Sequence, residues 1–277
     1  MKVIKQLYWY FSPTNSKGKE PKYKYGRIEI IVAETSLFEQ PTIAMSDIHS
    51  QTPELVVILD EFVNLNKFVV LACGDMAGGF VRGTDGAPTP EYEFLNDRSL
   101  EFYFVQGNHD QPSKGNAELK LRTKSGKQCN IKDGLTTKSL IGTIGGVNGI
   151  ISDKEHTYKM SADTYHEKLK QALTKRPKIL MTHDTPSITT LYENGERYIG
   201  NASIFDIVNQ YKPKVHFYGH CHHPQFHNLI NGVNYINLDG RVIIFVSPGK
   251  TDGLFKKELV MVHSPNALAA KAVNPSG

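Results

Sequence analysis

Five short apolar runs in this chain each end in a cluster of aspartate, histidine or asparagine, and no other feature restricts its fold as tightly. Residues 42–45 lead through Ser46 into Asp47-Ile48-His49, residues 68–72 lead through Cys73 into Gly74-Asp75, and residues 100–106 lead into Gly107-Asn108-His109-Asp110. Further on, 179–182 run into His183-Asp184, and 215–218 run into Gly219-His220-Cys221-His222. Short apolar runs bounded by glycine and polar residues read as strands. Segments of helical period lie between them, at 53–64, where Thr52 can cap and Pro53 can start the helix, at 162–174 and at 201–210. Strand–helix–strand alternation builds a sheet whose carboxyl-terminal edge collects functional residues, so the five clusters are expected to meet.

With 277 residues, 39% hydrophobic and 22% charged, the chain can bury a sizeable core and is neither a disordered nor a coiled-coil composition. Its net charge of +4 suits phosphate-bearing substrates but falls short of a protein that coats nucleic acid. Cys73, Cys129 and Cys221 are widely spaced, with no CxxC, which argues against a disulfide framework or a thiolate zinc site and for a reducing compartment. The apolar run 7–11 is too short for a signal peptide, and no stretch approaches the ~18 apolar residues of a membrane span. A cytoplasmic protein without a membrane partner is expected.

A single domain is expected over 1–265, followed by a loosely held tail at 266–277. Residues 12–27, rich in Lys, Tyr, Pro and Gly, read as a loop between an aromatic N-terminal strand and a strand at 27–32. In the second half, strands at 225–229, 233–237, 242–246 and 259–263 are separated by Asn231-Gly232 and Asp239-Gly240, dipeptides that favour tight hairpins. Residues 114–134, with six basic and two acidic residues and a turn at Ser125-Gly126, read as a protruding basic hairpin.

Oxygen and imidazole donors without thiolate suit Mn²⁺, Fe, Zn²⁺ or Mg²⁺, and their number fits two ions better than one. A carboxylate such as Asp75 can bridge ions about 3.5–4 Å apart, the spacing of two-metal hydrolytic sites. A water held there loses a proton near neutral pH, so no Ser or Cys nucleophile is needed.

The ordered series Asp-x-His, Gly-Asp, Gly-Asn-His-Asp, His and Gly-His-x-His resembles the calcineurin-like metallophosphoesterase superfamily, with all five blocks present between residues 45 and 222. Residues 140–150 also look like the strand pair that the family places between its third and fourth blocks. The resemblance implies an α/β fold, a four-layer αββα sandwich of two mixed β-sheets flanked by helices. It implies a dinuclear phosphoesterase that hydrolyses phosphate mono- or diesters by attack of a metal-bridging hydroxide, with Mn²⁺ as the first choice of ion. By position, Asp47, His49, Asp75 and His222 would hold the first ion, and Asp75, Asn108, His183 and His220 the second. His109 would protonate the leaving alkoxide, and Asp110 would orient its ring.

The sequence departs from the family's protein Ser/Thr phosphatases. They carry a further Asp and an Arg directly after the second block, where this chain has Met76-Ala77-Gly78-Gly79, and a Glu where it has Asp110. Small or nucleotide-like esters are therefore expected as substrates in preference to phosphoproteins. Two other readings stand beside this one. The basic hairpin and the Lys/Tyr loop suit a nuclease or nucleic-acid-processing phosphatase, and some members of the superfamily are non-catalytic scaffolds, though their blocks are eroded and these are complete. Of the remaining histidines, His156, His166 and His263 read as surface residues and His216 as packed, while His223 and His227 are close enough to the last block to line its rim.

Overall fold

The computed structural model describes residues 1–11, 26–78, 85–154, 156–188 and 199–257. Three of the five block-bearing strands, β3 (Thr42–Ser46), β4 (Val69–Cys73) and β5 (Glu101–Val105), pair in parallel within one sheet. The other two, β10 (Ile179–Thr182) and β11 (Val215–Tyr218), pair in parallel within a second. The first sheet runs β1 (Lys2–Phe11), β2 (Gly26–Glu34), β14 (Arg241–Val246), β3, β4, β5. The second runs β12 (His227–Ile230), β13 (Val233–Asn237), β11, β10, β7 (Gly142–Val147), β6 (Thr136–Ser139). Both are mixed, because β1–β2, β14–β3, β12–β13 and β6–β7 are antiparallel. A two-stranded ribbon, β8 (Ile150–Ile151) and β9 (Lys159–Met160), follows β7.

Why the strands read as continuous apolar runs is visible in their packing: both faces are covered. In β3, Ile43 and Met45 point to one core while Ala44 points to another, and in β14 Val242 and Ile244 alternate with Ile243 and Phe245 in the same way. The helix-side core of the first sheet takes Leu55 and Leu59 of α1 (Thr52–Phe62) and Tyr92 and Leu95 of α2 (Thr89–Arg98). Between the sheets, Leu71 and Val105 meet Ile144, Met181 and Phe217. Outside the second sheet, Leu169 of α3 (Ala162–Thr174) and Ile204 and Val208 of α4 (Ala202–Tyr211) pack on Leu180 and Tyr218. The layers are helix, sheet, sheet, helix, as expected.

Helix α3 has the predicted bounds, capped by Ser161, and Asn201 caps α4. Thr52 lies inside α1 instead of capping it, with its hydroxyl donating to the His49 carbonyl at 2.9 Å. Helix α2 was not expected, because it buries little more than Tyr92 and Leu95 and so has a weak apolar stripe. Asn231 and Gly232, at φ 51° and 86°, form the predicted hairpin between β12 and β13. Asp239-Gly240 does turn, with Arg241 N donating to Leu238 O at 2.9 Å, but it links β13 of one sheet to β14 of the other and makes no hairpin.

The basic segment 114–134 is also corrected. A short hairpin does pair Arg122 with Gln128, but residues 129–131, which follow it, run along β5 and anchor the segment instead of leaving it to protrude. Phe104 N donates to Cys129 O at 3.0 Å, and Ile131 N donates to Phe104 O at 2.9 Å. Leu119 and Leu121 pack on the helix-side core, and Cys129 and Ile131 are buried. The physical reason is that β5 is an edge strand whose open polar groups this segment covers. The expected N-terminal loop, the strand at 259–263 and the tail 266–277 fall wholly or largely outside the described residues. Among the described residues no helix is long and apolar enough to cross a membrane.

Candidate metal centre

Four residues of the five clusters adopt left-handed backbone: Asp47, His49, Asp75 and His220 have φ of 56°, 54°, 51° and 68°. Such angles are costly for residues other than glycine and persist only where the surroundings enforce them. Here the loops brace each other: Asp47 N donates to Gly74 O at 3.1 Å, and His49 N donates to Asp75 O at 2.9 Å. Ser46 Oγ donates to Asp47 Oδ2 at 2.6 Å, and His220 N donates to the same oxygen at 3.0 Å. Close approach also explains two glycines. A Cβ on Gly107 would strike the Asp75 carboxylate, and one on Gly219 would strike Ser46 Oγ and Asp47 Oδ2.

Two groups of donors result. Asp47, His49 and Asp75 offer ligand atoms within 4.8 Å of one another, and so do Asp75, His183 and His220, with Asp75 common to both. Asn108 Oδ1 lies 3.2 Å from His183 Nε2 and so joins the second group. His183 is oriented by Nδ1, 2.8 Å from Cys73 O, which leaves Nε2 facing Asp75 Oδ2 at 3.2 Å.

The electrostatics test whether such a site suits cations. Burial works to lower the His183 pKa, but the charges of Asp75 and Asp47 outweigh it and raise it to about 10. Burial likewise opposes ionisation of Asp75, yet His183 and His49 hold its carboxyl well below the usual carboxylate range. Asp47 is raised by burial and by the charge of Asp239. Burial holds His49 and His220 down to about 4, so both present neutral imidazoles with a lone pair. The cluster thus holds protons where cations would relieve its crowded donors. Oxygen and imidazole donors match a divalent ion of hard or borderline character, and the Cys73 thiol, pushed up by burial, stays out of the donor set.

The remaining site residues lie differently from expectation. His109 is close: its backbone N donates to Asp75 Oδ1 at 2.7 Å, and its ring meets that of His49 edge-on, centroids 5.4 Å apart. Asp110 does not touch that ring. Its carboxylate accepts from the backbone N–H of Asp75, Gly107, Met76 and Ala77 at 2.9–3.0 Å, tying the second and third blocks together, because four converging amides outcompete one imidazole. Burial, with the Asp75 charge, pushes its pKa up to about 7. The carboxylate beside His109 is Asp85, with Oδ1 3.1 Å from Nδ1.

His222 belongs to neither donor group. Its Nδ1 is 3.2 Å from Asp239 Oδ2 and its Nε2 is 3.1 Å from Arg241 Nη2, so both ring nitrogens face partners other than the cluster. His223 is buried, facing Tyr218 Oη at 3.0 Å, and does not line the rim. His216 is packed, as expected. Three residues at the site carried no usable signal. Asp85 belongs to no block, Asp239 read only as a turn former, and Arg241 read only as the residue before a strand.

Compared by sequence with curated proteins, the chain matches none. Among solved structures it resembles TT1561 of Thermus thermophilus, with TM-score 0.52 and 17% identity over 72% of this chain and 89% of that one. Purple acid phosphatase PPD1 from yellow lupin (Lupinus luteus) seeds is more distant, with TM-score 0.38 and 13% identity over 82% of this chain and 49% of that one. The model of the calcineurin-like phosphoesterase family matches residues 41–224, a span that contains every block described above. The chain belongs to the calcineurin-like phosphoesterase family.

Proposed function

We propose that the chain is a phosphoric ester hydrolase that cleaves phosphate mono- or diesters of small or nucleotide-like alcohols at a two-metal centre. The observation that carries this reading is the sharing of Asp75 between two donor groups. Asp47, His49 and Asp75 would hold one divalent ion, Mn²⁺ in the first instance, and Asp75, Asn108, His183 and His220 the other. When bound, the pair would neutralise phosphate oxygens and acidify the water that attacks phosphorus.

The chain's own residues supply the rest. His109 stands beside the cluster, its Nδ1 directed to Asp85, so that protonated Nε2 is the atom that can deliver a proton to the departing alkoxide. The carboxylate of Asp85 fixes the orientation of the ring. Asn108 can touch a phosphate oxygen as well as an ion. The basic segment gives little support to a nuclease reading, since Lys127 is paired with Glu101 at 2.8 Å and Lys124 Nζ donates to Ser99 O at 2.8 Å. Free thiols at Cys73, Cys129 and Cys221 support a reducing compartment such as the cytoplasm.

The test is turnover of p-nitrophenyl phosphate, its bis-ester and 2′,3′-cyclic nucleotides by metal-stripped protein with and without Mn²⁺. Metal-dependent hydrolysis that is lost in Asp75→Asn is expected. Wild-type metal uptake and turnover in that variant would overturn the shared-carboxylate assignment.

A further inference from the structure

His222 alone among the expected ligands stands outside both donor groups, with its Nε2 facing Arg241. A guanidinium cannot accept a hydrogen bond, so across the 3.1 Å contact Arg241 Nη2 donates and His222 Nε2 accepts. The ring proton then resides on Nδ1, facing Asp239 Oδ2 at 3.2 Å. The lone pair with which His222 would bind a metal is occupied. Arg241 itself has little freedom: its side chain is 2% exposed and its Nε donates to Glu29 Oε2 at 2.6 Å. Its Nη1 donates to Asn237 Oδ1, and Nη2 donates to His223 O at 3.0 Å. Its backbone is fixed in β14 between Glu29 and Ser46, one residue from Asp47.

We propose that Arg241, with Asp239, keeps His222 out of the metal cluster, so that the ion on Asp47, His49 and Asp75 binds more weakly than the ion on Asp75, Asn108, His183 and His220. Arg241 is then a positioning residue that sets the difference between the two affinities. The inference rests on the two-metal reading above. Three protein donors face one ion and four the other.

The experiment titrates Mn²⁺ by calorimetry into metal-stripped wild type, Arg241→Met, His222→Ala and the double variant, with thermal melts as a check of folding. Wild type should take up two ions, and His222→Ala should leave both affinities within about twofold, whereas Arg241→Met should tighten the weaker site by about 10- to 100-fold, the scale on which groups that orient a ligand change metal affinity. The double variant should lose that gain. A gain that survives in the double variant comes from charge alone and overturns the proposal. Should Arg241→Met not fold, because Glu29 is left without its partner, Glu29→Gln with Arg241→Met replaces it. His222→Ala is decisive by itself: loss of one of two ions overturns the inference while leaving the two-metal reading intact. Uptake of no ion by folded wild type overturns that reading and the inference with it.

Discussion

His109 pairs through Nδ1 with Asp85 at 3.1 Å, although Asp110 is its neighbour in the chain. The two aspartates have divided the work: Asp85 faces the ring, and Asp110 ties the backbone of two blocks together. General acid assistance is typically worth about 10²–10⁴-fold, and it matters most for leaving groups that are poor as anions. His109→Ala should therefore cut kcat/KM by about that factor for alkyl or nucleoside esters and much less for p-nitrophenyl esters. Asp85→Asn should reproduce the same dependence on leaving-group pKa at smaller amplitude. Equal losses across a graded ester series would mean that His109 binds phosphate and is not the acid.

Asp110→Ala should act on stability first. It removes the acceptor of four buried backbone amides, and a single unsatisfied buried donor costs about 1–3 kcal/mol. A loss of at least about 3 kcal/mol in urea denaturation is expected, allowing for relaxation of the loop. A variant as stable as wild type would show that the amides find other partners.

The two close-packed glycines should separate the donor groups. Gly107→Ala drives a methyl into Asp75, which both groups share, whereas Gly219→Ala drives one into Asp47, which belongs to the first alone. Equilibrium dialysis should find Mn²⁺ occupancy lost from both sites in the former and from one in the latter. Full occupancy in Gly107→Ala would contradict the geometry.

Segment 114–134 places Leu119, Leu121, Cys129 and Ile131 in the cores of the fold, so replacing 117–132 by a Gly/Ser linker should lower the melting temperature sharply. Single truncations sort the cause. Ile131→Ala, buried between the sheets, should cost about 2–5 kcal/mol. Lys120→Ala, a solvent-side change in the same segment, should stay within about 0.5 kcal/mol. Unchanged melting after the replacement would restore a peripheral hairpin.

His216 provides a pH dependence away from the metal centre. Burial holds its pKa down to about 3, with Nε2 2.8 Å from Thr182 Oγ1. The unfolded chain, where histidine titrates near its ordinary value of about 6.5, takes up the proton first as the pH falls. Stability attributable to the neutral ring is therefore complete above about pH 6.5 and is lost on acidification toward pH 3, at up to about 1.4 kcal/mol per pH unit. His216→Gln should flatten the stability profile of metal-stripped protein in that window by this slope, read from urea midpoints. Parallel profiles would show that His216 is already protonated in the fold.

What the sequence by itself determined was the set of strands and the order of their polar ends. Runs such as Ile179–Thr182 and Val215–Tyr218 are buried on both faces, and that demand is written locally as residues that are apolar except for Thr182 and His216, which pair with each other. Asp47, Asp75 and His183 were readable for the same reason, because a charged or imidazole side chain directly after a buried strand has few places to go. Only the tertiary structure decided what each side chain then faces. Asp85 and Asp239 reach the site from segments whose sequence spells nothing but loop and turn, and Arg241 reaches it from the start of a strand in the middle of a sheet. Hydrogen bonds are settled by competition among groups that meet only in the fold. Four amides claim Asp110, and an arginine fixed by Glu29 and Asn237 claims His222, so neither aspartate nor histidine holds the place that its position in the chain suggested.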